Sequence, residues 1–149
     1  MTSDRARTLL SQISGVVVVD GEPLTVQVPA EQYAAVAAFV KETIGCGFFS
    51  FSTAIDHKAD GLEVVAYLDN LDANLTVVLR SKLGPDSTAC PSLVPVYKGA
   101  NWMERETFDM FGVRFEGHPD LRRILLADDW EGHPLLKSYA VDTPFPPYR

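Results

Sequence analysis

The chain has 149 residues, one domain's worth at about 100–200 residues per domain, and its 46% hydrophobic and 22% charged content excludes a disordered or collagen-like chain. Thirteen Lys and Arg against twenty Asp and Glu give a net charge of −7 without any basic run, which argues against sequence-independent nucleic-acid binding and against anionic lipid surfaces. Cys46 and Cys90 are too few for an iron–sulfur cluster or a typical structural zinc and read as buried small hydrophobes, and no apolar run approaches the roughly 18 residues of a membrane span.

In chain order, Ala6, Leu9, Leu10 and Ile13 recur at helical spacing and predict a first helix ending near Ser14 and Gly15. Val16–Val19 and Leu24–Val28 flank Asp20 and Gly21, a hairpin signal. Pro29 opens a helix whose stripe is Tyr33, Val36, Ala37, Val40 and Ile44, closed by Gly45. Three strands follow: Phe48–Ile55 (with Phe49, Phe51, Thr53 and Ile55 on one face), Leu62–Leu68 and Leu75–Arg80, joined by polar turns. The expected class is α+β: a mixed sheet of about five strands with two helices on one face. His57 reads as a solvated loop residue, and Asp56 and Asp60 as turn residues.

Seven of the ten prolines lie beyond residue 90, so the end of the chain is expected to be largely irregular. Residues 1–98 form the expected body, and 99–149 a helix followed by an extended Pro-rich tail, within one domain overall. Ala100–Phe111 predicts a helix ended by Gly112, with Ala100, Met103, Phe108 and Phe111 sharing an arc. Glu104 falls inside that arc and needs an edge, a proton or a cation, with Arg114, Arg122 and Arg123 the nearest candidates. Arg105, Glu106 and Asp109 lie opposite with Trp102, where a solvated Arg105–Asp109 pair is the plain reading.

The run Glu104-Arg105-Glu106-x-x-Asp109-Met110-Phe111-Gly112, then Glu116-Gly117-His118-Pro119-x-Leu121-Arg122-Arg123-Ile124-Leu125, then Asp129-Trp130-Glu131-Gly132-His133-Pro134-Leu135, resembles the signature of the 30-kDa subunit family of respiratory complex I, in its bacterial NADH:quinone oxidoreductase form. The Phe51 to Asp56 stretch is also similar to the family's equivalent strand. Leu136 stands where the family usually has arginine, and Ser138 where it has aspartate.

The resemblance implies a subunit with no catalytic, cofactor or metal residues of its own; NADH, FMN, iron–sulfur clusters and quinone belong to partner subunits. It further implies docking on the quinone-binding 49-kDa-type subunit and neighbouring iron–sulfur subunits of the peripheral arm. The chain would lie at the cytoplasmic face of the bacterial inner membrane, reached only through the complex. The equivalent subunit of a membrane-bound hydrogenase or another donor:quinone complex is the alternative within the family. A free-standing metal-dependent hydrolase built on Glu104, Glu106, His118 and His133 is the alternative of another class.

The interface and signature residues are expected to be Trp102, Glu104, Arg105, Glu106, Asp109, Gly112, His118, Pro119, Leu121, Arg122, Arg123, Trp130, Gly132, Pro134 and Leu135. Arg122 and Arg123 are expected to hold two carboxylates, one of them Glu104 and the other on a partner. The tail from about Ala100 is expected to order only on its partner, ending in a Thr143–Arg149 segment unable to pair as sheet or helix.

Overall fold

The computed structural model describes residues 1–144. Helix α1 (Ser3–Ser11) begins at Thr2, whose hydroxyl accepts from the Arg5 N–H. Strands β1 (Val17–Val19) and β2 (Leu24–Gln27) pair antiparallel. Helix α2 (Tyr33–Phe39) follows a 3-10 turn at Ala30–Gln32 and runs into a π turn at Val40–Ile44, ended by Gly45 with φ +82°. The span expected as one helix is thus continuous but passes through three windings. Strands β3 (Phe48–Asp56), β4 (Leu62–Asn70) and β5 (Leu75–Gly84) complete a sheet of order β1-β2-β5-β4-β3. It is mixed because β2 and β5 run parallel.

Both expected helices cover one face. Ala6 and Leu10 of α1 and Tyr33, Val36 and Ala37 of α2 join Leu24, Val26, Val64, Leu68, Val77 and Leu79 in a single core. The other face carries the alternate residues of the same strands, aligned in rows such as Phe51, Tyr67 and Val78 or Thr53, Val65 and Arg80.

One strand differs from the expected pattern. The ladder between β3 and β4 slips between Phe49 and Phe51, and an irregularity of that kind reverses which side chains point inward. Phe49 packs on the core, but beyond the slip Ser52, Ala54 and Asp56 are buried, while Phe51 and Ile55 stay 39% and 37% exposed on the opposite face. The four residues expected on one face are therefore divided between two.

Two short strands outside the main sheet, β6 (Ala89–Pro91) and β7 (Arg114–Glu116), pair parallel. At three residues each, with Pro91 in one and charges at both ends of the other, neither carries a readable alternation. Between them α3 (Ala100–Phe111) packs along β3 and ends at Gly112, as expected.

Candidate functional site

Helix α3 is polar on two sides, and both are covered. Toward the body, Glu104 is 1% exposed and carries no cation. Its carboxylate accepts from the Ser92 hydroxyl and the Leu93 N–H, both at 2.6 Å, just after β6. Burial pushes its pKa up to about 7 despite those two bonds. The expected Arg122 or Arg123 partnership with Glu104 is not formed, because Arg123 lies against the other flank of the helix and Arg122 is exposed.

That other flank is covered by the chain's own C-terminal segment. Asp109 is fully buried, and one of its oxygens accepts from three successive backbone N–H groups, Ile124 (3.2 Å), Leu125 (2.8 Å) and Leu126 (3.0 Å). Its other oxygen meets Arg123 Nη1 at 2.7 Å. Burial alone would raise this carboxyl, but the guanidinium and the three amides outweigh it and hold the pKa below the ordinary value. Arg123 Nη2 also donates to the carbonyls of Trp130 and Gly132, both at 2.9 Å. Arg105 donates to the carbonyls of Arg122 (3.1 Å) and Arg123 (2.9 Å), and its guanidinium lies 5.7 Å from the Trp102 ring centroid. Arg105 and Asp109 are therefore not a solvated pair; each grips a different stretch of the overlying segment.

Further along, the His133 ring bonds the Asp109 carbonyl through Nδ1 at 2.9 Å and sits edge-on to Phe108. The Leu135 N–H donates to the Met110 carbonyl. His118 contacts the Asn101 carbonyl through Nε2 and accepts the Asp120 N–H at Nδ1, which closes the turn containing Pro119. Leu121 and Leu136 pack against the core. Arg122 pairs with Asp120 in the open at 2.8 Å, so it forms neither the Glu104 bond nor a buried one. Glu106 is exposed.

Two glycines make the close approach possible. A Cβ on Gly112 (φ +76°) would stand 2.8 Å from the His133 ring, and one on Gly132 (φ +84°) would stand 2.9 Å from Tyr139. Pro134 is half-buried, directly after His133.

The expected free tail is thus corrected. Residues 117–139 hold no helix or strand, yet they are fastened to α3 by the chain's own hydrogen bonds. The described part of the Thr143–Arg149 segment, residues 143 and 144, follows a turn in which Thr143 donates to the Ala140 carbonyl; the rest lies outside the described residues.

The sequence points to neither Ser92 nor Asp56 as a holding residue. Asp56 accepts the Lys58 N–H in a local turn, as its position suggests, but its second oxygen accepts the Lys137 N–H at 2.7 Å. Those two amides hold its pKa below the usual carboxylate range. No local pattern signals a bond across 81 residues.

This C-terminal segment, held on α3 as a clasp by residues 118–137, leaves apolar side chains outside. Trp102 is 60% exposed, Leu125 62% and Leu135 54%, with Ile124 partly exposed. The residues of the hydrolase alternative are not gathered: among the described residues no three His, Cys, Asp or Glu side chains are placed to hold a metal ion.

The chain is 39% identical over 122 residues to a NADH-quinone oxidoreductase subunit of Trichlorobacter lovleyi, covering 80% of this chain and 75% of that protein. It is 42% identical over 126 residues to the like-named protein of Rhodobacter capsulatus, covering 82% of this chain and 62% of that one. Among solved structures, a trypsin-resistant fragment of Nqo5 superposes with a TM-score of 0.69 at 25% identity, over 81% of this chain and all of the fragment. A chain of an archaeal membrane-bound sulfane sulfur reductase, at 24% identity, shares the fold with a TM-score of 0.77 over 93% of this chain and 85% of that one. The family model described as respiratory-chain NADH dehydrogenase, 30 Kd subunit, matches residues 26–144, which take in α2, strands β3 to β5, α3 and the clasp, and the chain belongs to that family.

Proposed function

We propose that the chain is a peripheral-arm subunit of a proton-translocating NADH:quinone oxidoreductase that holds no redox centre and docks on the quinone-binding 49-kDa-type subunit. The observation that carries this reading is the clasp on α3. Its polar side chains are spent on one another and on backbone groups, and the result is a fixed surface bearing Trp102, Leu125 and Leu135. Exposed aromatic and aliphatic anchors on a rigid support are what a docking face requires. Glu104, Arg105, Asp109, Arg123, His118 and His133 each have a structural partner, which favours a scaffold over a catalyst. In this reading NADH, FMN, iron–sulfur clusters and quinone sit in partner subunits. The chain reaches the cytoplasmic face of the membrane through them; among the described residues no helix is long and apolar enough to cross it.

A tagged chain expressed from its own locus should co-purify with a quinone-module subunit from detergent-solubilised membranes. The double substitution Trp102→Ala and Leu125→Ala should lower that yield while the isolated variant keeps its melting temperature. The isolated chain should carry no stoichiometric metal or flavin. Deletion should abolish membrane NADH:quinone activity; retained NADH oxidation with loss of another donor's oxidation would assign the chain to a related donor:quinone complex.

A further inference from the structure

The face of the sheet turned away from α1 and α2 carries exposed apolar side chains. Phe51 and Tyr67 stack on it with ring centroids 4.4 Å apart, Val65 and Val78 of the same face are buried, and Ile55 and Val17 are 37% and 58% exposed. At one end of this surface a buried carboxylate sits between two partly exposed side chains. The Glu63 carboxylate, without exposure of its own, accepts from Arg80 Nε (3.1 Å) and Nη2 (2.7 Å) and lies 2.8 Å from His57 Nε2. Burial would raise this carboxyl, but Arg80 and His57 hold its pKa below the ordinary value. Lys82 stands exposed opposite Glu63 in the β4–β5 ladder.

We propose that this open face of β2, β5, β4 and β3 is a second docking surface, filled by a partner subunit that brings carboxylates around an apolar centre. The charge distribution identifies the partner's chemistry. The chain as a whole is at −7, yet the charged strand residues at this end of the face are Arg80 and Lys82 around one carboxylate, Glu63, already matched by Arg80. Arg80 turns Nε and Nη2 toward Glu63, which leaves its Nη1 edge without that carboxylate, and Lys82 is exposed opposite Glu63 on the same face. At the other end Asp69 is engaged by the Ser50 and Thr76 hydroxyls. The strands of a second copy set face to face would offer these cations only Glu63, already bound by Arg80, and Asp69, held by two hydroxyls, so the complementary surface belongs to a different chain. Carboxylates meeting a cationic rim fix register and exclude other partners, while the aromatic stack supplies the apolar contact. The inference rests on the chain being one subunit of a larger assembly, but it does not depend on docking through α3.

Two measurements on the detergent-solubilised assembly test it. A water-soluble carbodiimide, which joins an amine to a carboxylate as an amide, should link Lys82 to an Asp or Glu of another subunit, read by mass spectrometry. The double substitution Phe51→Ser and Lys82→Glu should lower the recovered assembly by about tenfold, while the isolated variant keeps its circular dichroism. Should that variant fail to fold, the cross-link on the unaltered chain decides alone. An unaltered chain that recovers other subunits but shows no Lys82 cross-link, or one only to a second copy of itself, overturns this inference and leaves the assembly reading standing; so does a folded variant with full recovery. An unaltered chain that recovers no other subunit overturns both.

Discussion

Asp109 shows what a single buried carboxylate can organise. A charge out of water is tolerated only where its lone pairs are all met, and here one guanidinium and three amides from a segment 14 to 17 residues away meet them. Asp109→Ala should leave the largely buried Arg123 without a counter-charge and cost about 3–5 kcal/mol in denaturant unfolding; a loss under about 1 kcal/mol, the worth of an exposed pair, would contradict the buried geometry. Because the folded pKa of Asp109 is depressed, its contribution is present above its unfolded value and is lost as pH falls through the folded one. Glu104 has the opposite sign. Its pKa rises from 4.5 to about 7, so its contribution is full below its unfolded value and is lost as pH rises to the folded one, a change of about 3 kcal/mol. Glu104→Gln keeps an acceptor for Leu93 and removes the titration. Thermal unfolding should therefore show the unaltered chain losing stability against the Gln variant as pH rises from about 5 to about 8; parallel curves would mean the carboxyl is already solvated.

At the scale of the element, α3 has only 12 residues and owes its position to contacts on both flanks rather than to helix propensity. Hydrogen exchange on the isolated chain should find the Ile124, Leu125, Leu126, Leu135 and Lys137 amides protected without any partner. In Asp109→Ala the first three should exchange rapidly while Val64 and Val77 in the sheet do not change. Gly112→Ala should be costly twice over, through a left-handed backbone worth about 1–2 kcal/mol and through displacement of the His133 ring. A melting temperature unchanged by that substitution would show that the C-terminal segment does not lie on α3. The strands and helix ends are legible in the sequence because alternation, Gly45 and Gly112 are local signals. The slip in β3 is not, since Phe49, Phe51, Thr53 and Ile55 alternate as an unbroken strand would. The clasp is half legible: the charge density after Ala100 marks a polar site, but its acceptors and donors are largely backbone groups, which any residue supplies. For that reason the sequence marks Arg122 and Arg123 as anchors yet points the pair at Glu104 and a partner carboxylate instead of pointing Arg123 at Asp109.

On the scale of the whole molecule, the sheet is covered on one side by its own helices and open on the other, while the C-terminal segment is spent on fixing α3. A chain built this way divides its surface between a face it has finished and faces it leaves for others, which suits a subunit better than a solitary protein. The bond from Lys137 to Asp56 closes the largest loop of the clasp. It also makes the segment between Leu126 and Trp130 a bridge held on both banks. On one side Asp109 grips residues 124–126; on the other, Arg123 holds the Trp130 and Gly132 carbonyls, and Met110 and Asp56 receive Leu135 and Lys137. Asp128 and Asp129, at the middle of the span, are exposed. Cutting the chain there, at a site-specific protease sequence introduced in place of Asp128 and Asp129, should therefore yield two fragments that separate in denaturant yet migrate as one particle under native conditions, so that continuity of the backbone and continuity of the fold become separate properties at this point.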